Sequence, residues 1–133
     1  MEDEKKQVLE SLFVTYEQGL ALKELGFDGD CFAFHSTIYG LVIGGASGNS
    51  VLYESAGECL APLKQQVFQW FRDKHNFDGW ATPCYTSDGK FYSFIIENGE
   101  ESEIDGSYDD FKTYEEAESA CIDKLIITVK SEL

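Results

Sequence analysis

No apolar run in this chain approaches the roughly 20 residues that a membrane-spanning helix needs; the longest are Tyr39–Ile43 and Leu125–Val129. The first residues, MEDEKKQ, have neither the basic start nor the apolar stretch of a secretory signal. The cytoplasm is therefore the expected location. Cys31, Cys59, Cys84 and Cys121 stand far apart, so no CxxC pair exists, and isolated cysteines in a cytosolic chain are expected to be small buried hydrophobes. Bases are scarce. Twenty-five acids against ten Lys and Arg give a net charge of −15. A basic face for nucleic-acid phosphates or for an anionic membrane surface has few residues to draw on. A basic protein, a cation or plain solubility is left as the use of that charge.

Histidine is scarcer still. His35 and His75 are the only two, and the reactive-cysteine signatures that would accompany a Cys–His nucleophile drawn from Cys31 or Cys84 with His75 are missing. A zinc site lacks close ligand pairs. Asp28-Gly29-Asp30 and the run from Glu97 to Asp110 offer carboxylates to calcium, but neither has the alternating acids, central glycine and terminal glutamate of an EF-hand loop. A solvated turn and a solvated acidic segment are expected there. Gly44-Gly45-Ala46-Ser47-Gly48 lacks the Lys-Ser/Thr end of a phosphate loop. We therefore expect no enzyme, no metal site and no cofactor.

What is present is enough for one folded domain over residues 1–133. A chain of this length buries roughly 68% of the surface its unfolded form exposes. Thr15-Tyr16-Glu17-Gln18 reads as a capping box opening a helix over Tyr16–Leu25, with Gly26 as its stop. Before it, Val8, Leu9, Leu12 and Phe13 recur at helical spacing after a charged start expected to fray, although Leu12–Val14 also fits a short strand. Cys31–His35 alternates as a strand, with Phe32 and Phe34 on one face and Cys31, Ala33 and His35 on the other. Thr37–Ile43 follows as a second strand. Gly44–Ser50 reads as a flexible loop, Val51–Tyr53 as a short strand and Glu54–Glu58 as a linker.

Leu60–Phe77 then gives a helix with Pro62 near its first turn and Leu63, Val67, Trp70 and Phe71 as its apolar residues. The other elements are expected to pack on it. Trp80–Thr86 and Phe91–Glu97 flank Asp88-Gly89, a hairpin signal, and Pro83 assigns the first strand to a sheet edge or a bulge. Asn98–Asp110 is acidic throughout, with one short strand near Ile104. Thr113-Tyr114-Glu115-Glu116 caps the last helix, whose buried face is Tyr114, Ala117, Cys121, Leu125 and Val129. The order implies an α+β fold: an antiparallel sheet of about four to five strands with three helices mainly on one face.

Three segments, TYEQGLALKELGFDGDCFAF (15–34), APLKQQVFQWFRDKH (61–75) and TYEEAESACIDKLIITVK (113–130), together resemble a set of small acidic proteins encoded by phages and prophages of gut Bacteroidales. The shared pattern is an ALKELGF helix, an APLxQQxFxWFRxK helix and a TYEEAExACxxKLI helix in that order, over about half the chain. The resemblance implies an accessory protein of a mobile element in a bacterial host cytoplasm, and it brings no catalytic motif.

Acidic phage proteins of this size can present carboxylates in place of the DNA backbone. The expected function is non-enzymatic protein binding, in its sharpest form as a DNA-mimicking inhibitor of a host nucleic-acid-handling or defence protein. The expected face is Glu97, Glu100, Glu101, Glu103, Asp105, Asp109, Asp110, Glu115 and Glu116, with Glu118 adjacent in sequence. Most of Trp70, Phe71, Trp80, Tyr85, Phe91, Tyr92 and Phe94 are expected to be core, and any exposed ring among them marks a protein interface, because base stacking needs a positive groove. The second expectation is a small-ligand-binding domain with the aromatic strands lining a pocket and Gly44–Ser50 as its lid.

Overall fold

Helix α1 spans Glu2–Glu10, taking in both the charged start expected to fray, residues 1–7, and the first of the helically spaced apolar residues, Val8 and Leu9. Glu, Lys, Gln and Leu are good helix formers, and acids at the amino end oppose the helix dipole. In the computed structural model, which describes residues 2–46, 57–98, 105–106 and 111–132, the chain clusters into two compact units, Met1–Gln66 and Val67–Leu133. The described residues form four helices and six strands.

In the N-terminal unit, α1 gives way through a turn at Ser11 and Leu12 to a short non-helical piece at Phe13 and Val14. The Val14 amide donates to the Pro62 carbonyl at 3.1 Å, the Lys64 amide donates to Leu12 at 2.9 Å, and Phe13 bridges Leu63 antiparallel. The strand-like alternative for Leu12–Val14 thus survives as a single bridge. Thr15 then caps α2 (Tyr16–Glu24). Its hydroxyl accepts from the Gln18 amide at 3.1 Å, and its own amide donates to the Gln18 side chain at 2.9 Å. Gly26, at φ +96°, ends the helix in the left-handed region that costs other residues most.

Strand β1 (Cys31–Ser36) lies between β2 (Gly40–Ala46) and the two-residue β3 (Cys59–Leu60), antiparallel to both. The expected second strand is displaced by three residues. Ser36 Oγ accepts from the amides of Ile38 and Tyr39, both at 3.1 Å, so Thr37–Tyr39 form the turn despite their strand-forming side chains. Strand β2 instead runs into the glycines and ends at Ala46. β1 buries Cys31, Ala33 and His35, while Phe32 is exposed. Helix α2 lies close on this sheet. A Cβ on Gly19 would stand 2.7 Å from Cys59 Sγ and 2.8 Å from the Leu60 carbonyl oxygen.

Helix α3 covers Lys64–His75, four residues shorter at its start than expected, because Cys59 and Leu60 pair with β1 and the Pro62 carbonyl serves Val14. In the C-terminal unit α3 buries Val67, Phe68 and Phe71. Strands β4 (Phe77–Thr86) and β5 (Gly89–Asn98) make one long hairpin in unbroken register, with β6 (Asp105–Gly106) on the far side of β5. Pro83 therefore sits on an edge strand, as its missing N–H requires.

Helix α4 (Tyr114–Glu132) starts at Thr113, whose hydroxyl accepts the Glu116 amide at 3.1 Å. It packs on β4 and β5. The contact is close: a Cβ on Gly79 would meet Cys121 Sγ and Leu125 Cδ1, each at 3.0 Å. Ala117, Cys121, Ile122 and Leu125 are fully buried there. Each large aliphatic residue so buried contributes about 1.5–3 kcal/mol. The organising helix of this unit is α4 and not the segment expected to play that part.

The α+β class holds. The single sheet of four to five strands is instead two three-stranded sheets, and the helices number four among the described residues. The charge of the extra helix hides it and β3 is too short to show a periodicity, whereas β6 stands next to Ile104, where one short strand is expected. Val51–Tyr53 lies outside the described residues.

Candidate functional site

Of the nine acids expected to form a face, Glu97, Asp105, Glu115 and Glu116 are described, while Glu100, Glu101, Glu103, Asp109 and Asp110 lie outside the described residues. Glu97 is the penultimate residue of β5 and is half-buried. Asp105 begins β6, where it pairs with Ile96, one residue from Glu97. Glu115 and Glu116 are exposed in the first turn of α4, opposing the helix dipole. That turn is tied to β5 further along. Phe111 and Tyr92 exchange two backbone hydrogen bonds at 2.9 Å, and the Tyr114 ring stands edge-on to Tyr92 at 5.8 Å. Tyr92 and Ile96 are four residues apart on β5, about 13 Å at the rise of a strand. This exceeds the Debye length of about 8 Å at physiological ionic strength, so the described acids near Ile96 and those near Tyr92 are largely screened from one another.

The field is uneven. Lys90 holds its ammonium over the rings of Tyr92 at 5.1 Å and Tyr85 at 5.7 Å, and its pKa is raised chiefly by hydrogen bonding to Tyr92. Lys112 is exposed beside the cap of α4. Both bases sit towards the Tyr92 end, which leaves the Glu97–Asp110 segment as the part without positive charge. Tyr114, half-exposed, has its hydroxyl pKa pushed up by burial, then by Glu118 and Glu115.

The aromatic residues divide. Phe71 and Phe94 are core, whereas Trp80 and Tyr85 are exposed. With an odd number of steps between them on β4, Trp80 and Tyr85 project to opposite faces and do not share a stacking surface. Trp70, Phe71 and His75 make their own cluster on α3, with His75 4.8 Å from Trp70 and 5.9 Å from Phe71 between ring centroids.

Cys31 and Cys59 are poorly set for chemistry. Cys31 donates to the Gly29 carbonyl at 3.4 Å, and its pKa is pushed up to about 12 by burial and then by the charge of Asp30. Burial likewise raises Cys59 to about 11, against a partial lowering by Lys23. Cys84 lies 3.1 Å from Ser93 Oγ. Nucleophilic thiols need the opposite shift. At pH 8 in the folded protein, Cys31 and Cys59 should react with iodoacetamide at least tenfold more slowly than free cysteine, read by mass spectrometry. Either thiol reacting at the free rate would contradict this burial.

At Asp28–Asp30 the carbonyls of Gly29 and Asp30 already accept from Cys31 and from Gln66 Nε2 at 2.9 Å, which takes two potential calcium ligands. Among the described residues no three His, Cys, Asp or Glu side chains gather at one point. No described helix is long and apolar enough to cross a membrane.

A second feature was not anticipated from the sequence. His35 is 8% exposed on β1 and donates from Nε2 to the Val14 carbonyl at 2.9 Å. The Tyr16 ring meets it edge-on at 5.9 Å, and the Tyr16 hydroxyl donates to the Gly57 carbonyl. A cavity of about 280 Å³ opens beside it, lined by Glu10, Phe13, Val14, Thr15, His35 and Leu41. Its described lining does not include Gly44, Gly45 or Ala46. Gly44–Ala46 belong to β2, and the rest of the expected lid lies outside the described residues. His35 is buried, but a pairing across 21 residues of chain leaves no local signal to find the cavity by.

Compared with protein-family models, curated proteins and solved structures, the chain has no match.

Proposed function

We propose that this protein is a non-enzymatic accessory protein of a phage or mobile element, acting in the bacterial cytoplasm by binding another protein. In its sharpest form it inhibits a host nucleic-acid-handling or defence protein by presenting carboxylates where that partner expects phosphates. The observation that carries this reading is the distribution of charge. Residues 67–133, the C-terminal unit, hold fifteen acids against six bases (net −9), and none of the bases lies between 98 and 110. Clefts and surfaces of one sign steer oppositely charged partners and raise association rates roughly 10- to 1,000-fold, with a steep dependence on salt. The pairing of Asp105 beside Ile96 and the tether of α4 to Tyr92 support it by drawing three acidic segments onto one strand, β5.

The test is affinity capture from a bacterial lysate with the tagged protein, washed in parallel at about 0.1 M and 0.5 M salt. The Debye length shrinks from about 10 Å to about 4 Å between them. A basic nucleic-acid-binding protein retained at low salt and lost at high salt is the expected result. A partner that survives both washes would move recognition to apolar side chains, and no partner under either wash would overturn the reading.

A further inference from the structure

We propose that the cavity beside His35, in the N-terminal unit, binds a small molecule with a protonated amine head and a short apolar body. The proposal concerns a different unit from the acidic segment and stands or falls independently of it.

The polar groups around the cavity are nearly all accounted for. Thr15 Oγ1 accepts the Gln18 amide, the Thr15 amide is held by Gln18, and the Thr15 carbonyl accepts the Gly19 amide at 2.8 Å. The Val14 amide goes to Pro62, and the Val14 carbonyl receives His35 Nε2. Donation from Nε2 makes Nδ1 the acceptor of the neutral ring. The Cδ2 edge of the ring faces Gly19, where a Cβ would come within 3.4 Å, so Nδ1 lies on the opposite edge, away from α2. With the ring neutral, the free hydrogen-bonding capacity of the lining side chains is then mostly acceptors, the Glu10 carboxylate and His35 Nδ1, against the single hydroxyl proton of Thr15.

Such a site recognises a donor, and the carboxylate favours a charged one. Phe13, Val14 and Leu41 supply apolar wall for the rest of the ligand. A few placed polar groups in an otherwise apolar hollow is the usual composition of a small-molecule site. The surroundings agree in sign: residues 1–66 carry ten acids against four bases, which concentrates small cations nearby. Lys6, one turn before Glu10 on α1, is the intramolecular competitor, but exposed pairs of that spacing are weak.

Size limits the ligand. At about 280 Å³ the cavity lies at the lower end of small-molecule sites, roughly 300–1,000 Å³. Ligands so small bind with dissociation constants on the order of 0.1–1 mM.

The experiment is a titration of the full chain, followed by ¹H–¹⁵N spectra, with two amines of different shape, isopentylamine and 2-phenylethylamine. Phenylacetate and 2-phenylethanol serve as matched acid and alcohol. The expected result is saturable shifts at the amides of Thr15, His35 and Leu41 with at least one amine, and binding at least tenfold weaker for the acid. Removing His35 risks unfolding the unit, so the diagnostic variant is Glu10→Gln, at an exposed position. It should weaken the amine about tenfold, while Glu4→Gln, which removes the same charge from the same helix outside the cavity, should leave it unchanged. Acid and amine binding alike, equal effects of the two variants, or no saturation by either amine below about 10 mM would each overturn the proposal.

Discussion

Replacing Gly19, which is buried where α2 meets β3, with valine should destabilise the N-terminal unit by about 3 kcal/mol or more. Even the first added carbon is too close, at 2.7 Å from Cys59 Sγ, 2.8 Å from the Leu60 carbonyl oxygen and 3.4 Å from His35 Cδ2. The thiol can rotate, but a carbonyl fixed in the β1–β3 pairing cannot. Overpacking a core typically costs about 1–3 kcal/mol. Gly19→Ala therefore sets that cost against the roughly 1 kcal/mol by which alanine outranks glycine inside a helix, for a net loss of about 0–2 kcal/mol. Valine adds two methyl groups at the same contact and a β-branched penalty, with no further gain. The control is Gly44→Val. Nothing lies within 4 Å of a Cβ at Gly44, and valine suits a strand, so its effect should stay within about 0.5 kcal/mol of zero. Urea unfolding of the three variants measures all of this. A Gly19→Val midpoint equal to that of the parent would mean that α2 does not rest on β3.

The same position shows which parts of this fold can be read from sequence. Thr15, Gln18 and Gly26 act on atoms within a few residues of themselves, and the cap, the start and the stop of α2 all fall where their chemistry places them. Thr113 does the same for α4, and Pro83 marks an edge strand for want of a donor. What Gly19 does depends on Cys59 and Leu60, forty residues away, and glycine inside a helix by itself signals only weakness. The helix expected from Leu60 begins instead as strand β3 for a related reason. Two residues carry no period, and only their partners Phe34 and His35 make them a strand. Thr37–Tyr39 failed in the opposite sense, since two hydrogen bonds to Ser36 Oγ outweigh three side chains that prefer strands. Of the candidate surfaces, the acidic segment is legible because charge is additive along a chain. The His35 cavity is not, because its walls come from Glu10–Thr15, His35 and Leu41, which meet only after β1 pairs with β2.

Reversing Glu100, Glu101, Glu103 and Asp105 to lysine should weaken binding of a basic partner by roughly thirty- to a thousandfold while leaving the fold intact. Single exposed ion pairs contribute only about 0.2–1 kcal/mol. Four attractions lost and four repulsions gained multiply that into about 2–4 kcal/mol. The net charge changes from −15 to −7, since each of four residues shifts by two units. Asp105 opens β6, the edge strand of its sheet, where lysine is well tolerated.

Charge number alone has to be separated from charge position. Reversing Glu4, Asp28, Asp30 and Asp73, all exposed and outside the segment, also brings the chain to −7. A position-specific field predicts that this second variant loses no more than about threefold, and that the slope of log Kd against log salt flattens only in the first. Equal losses in both would reduce the surface to a general acidic character that keeps the protein soluble. Unchanged affinity in the first variant would remove the electrostatic reading altogether. The exposed rings of Trp80 and Tyr85, on opposite faces of β4, would then be the places to substitute next, one face at a time.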